Sequence, residues 1–315
     1  MLNRRHLRIK VLQLLYAFHQ SNSSNPLNAE KELAVSLDRL YDMYVFLLLT
    51  FDEMKRAAEN KIEDKKRKMR PTEEDLHPNL KFVNNAVFRE LENSSPLKEL
   101  SKKRKVNWTG VEAQEMFRKM FLVVLESEVY TLYLNDEKSD FETDRNFAIQ
   151  FFKEQIANSE LLYHFFDEKS VYWMDDLDLC CTMVLKSLKT LKEGEPFEPL
   201  PLYKDEEDEA TFVKDLLLKT ILHDQLHQDL VTDLAKNWEA DRIAKMDMLM
   251  IKMGLTELMY FNSIPTKVTI NEYIEISKYY STPKSNIFIN GILDKAVEKL
   301  TAEKKIVKIG RGLIN

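Results

Sequence analysis

Residues 264–300 read IPTKVTINEYIEISKYYSTPKSNIFINGILDKAVEKL. Ile264 and Pro265 mark a loop, and Thr269 and Glu272 have the spacing of a capping box that opens a helix through Tyr280. Thr282 followed by Pro283 starts a last helix, with Phe288, Ile289, Ile292, Ala296 and Leu300 on its buried side. Gly291, inside that helix, costs about 1 kcal/mol relative to alanine and implies a close backbone contact. Upstream, an apolar helix is predicted from about Ala244 to Tyr260, where the loop stops it. With only 6 Gly and 9 Pro the chain has little turn material for a many-stranded sheet and reads as all-α.

The same period governs the N-terminus. Over residues 4–20, Leu7, Val11, Leu14, Leu15 and Phe18 fall on one face. At roughly 100° per residue, Arg4, Arg5 and Arg8 share an arc beside that stripe, and Tyr16 projects near the azimuth of Arg5, three turns along. Two readings of this face stay open: ordinary solvation, or phosphate contact and base stacking on single-stranded RNA. A polar loop is expected at residues 21–28, a second amphipathic helix from about Ala29 to Leu49, and a solvated helix or mobile arm from Asp52 to Asp75.

The three tryptophans, Trp108, Trp173 and Trp238, stand 65 residues apart, and Phe82, Phe147 and Phe212 precede them by 26 residues each. The apolar pairs Ala86 and Val87, Phe151 and Phe152, and Leu216 and Leu217 repeat in step. This predicts three copies of one unit: a helix of about 20 residues, a short connection, a tryptophan and another helix. Such a period suits partial duplication of a helical module rather than an open solenoid.

Composition narrows the function. Of 315 residues, 44% are apolar and 31% charged, with 6 Gly and 9 Pro, which suits long amphipathic helices and a sizeable core. The net charge of -6 argues against general nucleic-acid coating, so RNA binding requires a local basic patch. Cys180 and Cys181 are adjacent and fit neither a disulfide framework nor a zinc site, which points to a reducing cytoplasm. No apolar run reaches membrane-spanning length, and the Met1–Gln20 stretch lacks the features of an export signal. His223 and His227 have zinc-gripping i, i+4 spacing but no evident third ligand, and Asp224 stands where a zinc protease carries Glu. Asp175, Asp176 and Asp178 lack a paired nucleophile or base, and Asp205 to Glu209 reads as a charged helix start. Gly310, Arg311 and Gly312 form a tail motif with no helix after it. No catalytic constellation, metal or cofactor is expected.

Three blocks resemble the NusB family. Residues 4–16, RRHLRIKVLQLLY, are similar to its arginine-rich first helix. Residues 264–278 resemble its V/I-P-x-K-V-x-I-N-E-x-I-E-x-x-K signature, and residues 285–294 its S-x-x-F-V-N-G-V-L-D signature, in the same order and spacing. The likeness covers about residues 1–50 and 211–302. It implies a core of NusB-like helical bundles, N-terminal helices at 1–50 and the remainder at 211–302. A helical insertion at 51–210 would carry the charged arm and two repeat-like units, and 303–315 would be a loose basic tail.

The resemblance implies a cytoplasmic, non-enzymatic factor in transcription antitermination and elongation. It would bind boxA-type single-stranded RNA together with NusE, a small-subunit ribosomal protein, within the transcription elongation complex during ribosomal RNA transcription. By position, Arg4, Arg5, Arg8 and Lys10 match the basic RNA-binding residues, Tyr16 the helix tyrosine near RNA and partner, and Phe288 an aromatic at the RNA-facing end of the last helix. Asp247 matches an acidic position on the NusE side. Departures are His6 for a basic residue, Lys252 for Arg, Thr256 for Tyr, and Lys284 at a position often acidic, where it would add a phosphate contact. The alternative is a helical protein-interaction scaffold whose arginine face only solvates. A fused RNA methyltransferase is disfavoured, because no glycine-rich strand-turn-helix is present.

Overall fold

The computed structural model describes residues 2–21, 25–173, 175–235 and 243–313. It is 75% helical, with no strand among the described residues. Two compact units divide the chain: Asp38–Leu202, and Leu2–Leu37 together with Tyr203–Asn315.

Helix α1 (Arg4–Gln20) opens the chain, and α2 (Pro26–Lys66) follows for 41 residues. Pro26 sits where a helix lacks N–H partners in any case. The break expected near Leu49 is absent, because Phe51, Met54 and Ala58 carry the apolar stripe onward and are buried. The charges of this stretch form the outer face of the same helix, with Arg56 reaching Asp52 and Glu53 at 3.1 Å. Beyond α2, Thr72 and Asp75 make a reciprocal capping box for the single turn α3 (Glu73–Leu76), and Lys68 pairs with Asp75 at 3.0 Å. Of the two expectations for residues 52–75, the structure takes the solvated helix, as the continuation of α2 to Lys66 followed by the turn α3.

In the Asp38–Leu202 unit Trp108 and Trp173 both hydrogen-bond to the backbone of α2. Trp108 donates its indole N–H to the Phe46 carbonyl at 2.9 Å, and Trp173 donates to the Arg39 carbonyl at 2.6 Å. The acceptors lie seven residues apart on α2, about two turns, and both indoles meet Phe46 edge to face. Phe82 and Phe147 share one aromatic core, 5.9 Å apart, with Phe51, Phe88 and Phe151. The single 20-residue helix expected before each tryptophan is instead a pair. In the first copy α4 (Ala86–Asn93) gives way to α5 (Ser95–Arg104) at Ser94, whose hydroxyl caps Leu97 N–H. In the second, α8 (Phe141–Phe151) continues through a π turn (Phe152–Ile156) and gives way to α9 (Glu160–Lys169) at the Ser159 cap. Each serine offers the backbone a local alternative to the continuing helix. Helices α6 (Val111–Leu125), α7 (Glu128–Asn135) and α10 (Leu177–Thr190) complete the unit. Cys180 and Cys181 are buried in α10, and burial pushes the Cys181 thiol up to about 12. Trp238 lies outside the described residues.

The other unit is built around α13 (Lys245–Tyr260), whose Met250, Ile251, Met253, Leu255 and Leu258 are fully buried. Around it pack α1, α11 (Glu206–Leu222), α12 (Asp224–Leu234), α14 (Thr266–Tyr280) and α15 (Ser285–Ala302). At Gly254 in α13 a Cβ would lie 2.9 Å from Leu293 on α15, so the two helices approach closely there; Gly291, on α15, is half-buried. Helix α14 begins at Thr266, three residues before the predicted cap, because Thr269 donates to Glu257 at 2.8 Å and is unavailable as a cap. The tail is not loose. Ile309 N–H donates to the Asn262 carbonyl at 3.0 Å, and the Lys308 ammonium reaches the Phe261 carbonyl at 3.0 Å, a favourable place for a cation at the end of a helix.

Candidate functional site

Asn3 caps α1: its side chain accepts from His6 N–H at 3.0 Å, while His6 Nδ1 accepts from Asn3 N–H at 3.3 Å. Burial, then the charge of Arg5, pushes the His6 imidazole down to about 4. His6 thus serves as a neutral cap and adds no positive charge to the helix at neutral pH.

The arginines of α1 are held by carboxylates from three other helices. Arg8 is 2% exposed and donates Nε and Nη2 to Glu257 at 2.8 and 2.7 Å. Glu257, also buried, accepts further from Thr269 and from the Tyr273 hydroxyl at 3.3 Å. Burial opposes the charge on Arg8, but the Glu257 carboxylate outweighs it and keeps the guanidinium protonated. Arg5 makes a fork to Glu272, with two contacts of 2.9 Å, and these hydrogen bonds raise its pKa. Arg4 meets Asp208 at 2.6 Å and lies 4.7 Å from the centre of the Phe212 ring. Arg4 and Arg5 remain 32% and 41% exposed; Arg8 does not face solvent.

These residues line an open groove of about 810 Å³. Asn3, Arg4, Arg5 and Arg8 come from the start of α1, Lys267 and Glu272 from α14, and Arg311 from the 3₁₀ turn Gly310–Leu313. Ile264, Pro265 and Val268 supply apolar lining. Tyr16, 39% exposed, lies about 16 Å further along α1 by helix rise. It lines a separate hollow of about 340 Å³ with His19, Gln228, Lys245 and Met248. The helix therefore presents two hollows, one cationic and one with an aromatic wall.

The remaining predicted positions fall elsewhere in this unit. Lys10 is 2% exposed and so, like Arg8, belongs to the interior of the packed helix. Asp247 is buried and accepts from the hydroxyls of Ser281 and Ser285, the latter at 2.7 Å, tying the first turn of α13 to the start of α15. Lys284 is exposed just before α15, and Phe288 is half-buried on that helix. Lys252 is buried against Asp224 at 2.7 Å, and Thr256 bonds Thr220 at 3.0 Å. His223 stacks on Tyr260, whereas His227 is fully buried; among the described residues no group of three His, Cys, Asp or Glu side chains could hold a metal.

Sequence reasoning found the arginines but missed the carboxylates that pair with them. It also missed Lys267 and Arg311 as members of the groove. The signals were present, Glu257 and Glu272 lying at buried-side positions of helical patterns, but the pairings span 204 to 267 residues.

A sequence model of the NusB family matches residues 183–298. This range contains Glu257, Lys267 and Glu272 but neither α1 nor the tail. Three curated relatives, each named transcription antitermination protein NusB, are similar to the chain. That of Salinibacter ruber is 39% identical over 111 residues, 35% of this chain and 69% of the relative. That of Chloroherpeton thalassium is 43% identical over 91 residues, 28% of this chain and 43% of the relative. That of Natranaerobius thermophilus is 33% identical over 89 residues, 28% of this chain and 64% of the relative. No solved structure matches the chain. Among the described residues no helix is long and apolar enough to cross a membrane.

Proposed function

Because the chain belongs to the NusB family, we propose that it is a cytoplasmic transcription antitermination factor that binds single-stranded RNA along α1. The observation that carries this reading is the groove at the start of α1, where Arg4, Arg5, Lys267 and Arg311 converge beside an apolar lining. A polyanion with flat, unpaired bases suits such a surface, phosphates meeting guanidiniums and bases meeting apolar or aromatic walls.

Within this reading the residues divide by burial. Arg4 and Arg5 are accessible and exchange a surface carboxylate for a phosphate. Arg8 and Lys10 hold α1 in place from below. Tyr16 stacks a base, and Lys284 and Phe288 extend the track at the start of α15. NusE docks near the α13–α15 junction that Asp247 organises, and the complex joins the elongating polymerase on boxA-type RNA of ribosomal transcripts. No covalent chemistry is involved.

Three or four phosphate contacts on a single strand give a salt slope of about -2 to -3, so affinity without a partner is modest and falls with salt. The neighbouring carboxylates lower it further, which makes a protein partner physically useful. Fluorescence anisotropy of a labelled boxA-type RNA, with and without NusE, tests the reading. Binding that NusE tightens and Arg5→Glu abolishes, with helicity unchanged, is expected. The ion pairing of Arg4, Arg5 and Arg8 within the fold favours a second reading, the interaction scaffold; wild type and Arg5→Glu that bind equally, or not at all even with NusE, would establish it.

A further inference from the structure

Of the cations lining the α1 groove, Arg4, Arg5 and Arg8 each have a carboxylate partner, whereas the side chains of Lys267 and Arg311 have no ion-pair or hydrogen-bond partner among the described residues. Both are exposed. The groove's uncompensated positive charge therefore comes from the first turn of α14 and from the C-terminal tail, not from the arginine helix.

The tail is constructed to present Arg311. Lys305 N–H returns to the Leu300 carbonyl at 2.8 Å, Ile309 N–H bonds Asn262, and Lys308 is anchored on the last carbonyls of α13. The two glycines around Arg311 have different tasks. Gly310 takes φ +53, the left-handed conformation that turns the chain. Gly312 is buried against the α13–α14 loop, and a Cβ there would lie 2.0 Å from the Asn262 carbonyl oxygen, a backbone atom that cannot yield. Gly310-Arg311-Gly312 is thus a local device that seats the tail on one side and leaves the guanidinium free on the other. These residues lie beyond the matched range 183–298.

We propose that the C-terminal tail is part of the RNA site: Arg311, with Lys267, supplies its unneutralised phosphate contacts. The proposal rests on the RNA-binding reading above and adds to it. An incoming phosphodiester reaches Lys267 and Arg311 without displacing a carboxylate, and it then lies next to Arg4 and Arg5, whose pairs are exposed enough to exchange. A planar guanidinium also suits a phosphate by two parallel hydrogen bonds.

The test is an anisotropy titration of a labelled single-stranded boxA-type RNA over a salt series, with the full chain, Arg311→Gln, Lys267→Gln, Gly312→Val and Arg5→Glu. Arg311→Gln is expected to weaken binding by about three- to tenfold at low salt and to reduce the salt slope by about 0.7 to 1. Its thermal melt should not move, since the side chain has no partner to lose. Gly312→Val keeps the arginine but unseats it, and should give the same loss. If Arg311→Gln and Gly312→Val bind with wild-type affinity and slope while Arg5→Glu is impaired, the tail proposal is overturned and the RNA reading survives. A loss of affinity with an unchanged slope also overturns it, because the contact would not be ionic. If the wild type binds no RNA with or without NusE, both fall.

Discussion

The Arg8 guanidinium and the Glu257 carboxylate face each other at 2.7 and 2.8 Å with both side chains sealed from water, 249 residues apart in the chain. Thr269 and Tyr273 fill the remaining acceptor sites of Glu257. One buried ion pair thereby locks the arginine helix to α13 and α14. Removing one partner leaves an uncompensated buried charge, so Arg8→Ala should destabilise this unit by about 3–5 kcal/mol. Arg8→Met combined with Glu257→Gln should recover much of that loss. Urea denaturation of the three proteins measures it, and a single variant as stable as wild type would contradict a sealed pair.

Glu272 restrains Arg5 by a fork of two 2.9 Å contacts on the groove wall. Glu272→Gln removes that charge and frees the guanidinium. RNA affinity should rise by about threefold at low salt, with a steeper salt slope. Anisotropy reads both; unchanged or weaker binding would mean that Arg5 does not meet phosphate.

His227 is fully buried, its Nε2 has no hydrogen-bond partner among the described residues, and burial, with His223 and Lys252 nearby, pushes its pKa from 6.5 down to about 4. As pH falls below 6.5 the unfolded chain takes up this proton and the folded chain does not. Stability is therefore full above pH 6.5 and declines toward pH 4, by roughly 2 kcal/mol at about pH 5 from this residue. His6, lowered for the same reason, adds to the decline in the same direction. Denaturant midpoints at closely spaced pH values should fall over this window, and His227→Gln should flatten the decline.

Trp108 and Trp173 donate to carbonyls two turns apart on α2 and pack on the same Phe46 ring. Replacing either by Phe removes one buried hydrogen bond and some packing, at a cost of about 1–2 kcal/mol. The two costs should be similar. Thermal melts of the two variants test this; a cost confined to one would show that the two tryptophans carry unequal loads.

The helical period, the apolar faces of α1 and α13–α15, and the family blocks at residues 264–278 and 285–294 depend on neighbours within a few turns, and the sequence alone determined them. It also determined that Arg4, Arg5 and Arg8 share one arc, because that follows from 100° per residue. Helix continuity was harder to read. The charges of residues 52–66 masked the buried Phe51, Met54 and Ala58 stripe that prolongs α2, while Ser94 and Ser159 divide stretches that look continuous in pattern. Only the tertiary structure decided which arginine meets water. Arg4, Arg5 and Arg8 differ little in local pattern, yet the carboxylates of Asp208, Glu272 and Glu257 reach them from distant helices at different depths. The same holds for Arg311, whose place in the groove depends on a glycine fitting against the Asn262 carbonyl. Local periodicity orients a side chain on its own helix, whereas its charge partner and its exposure are set by whatever the rest of the chain folds against it.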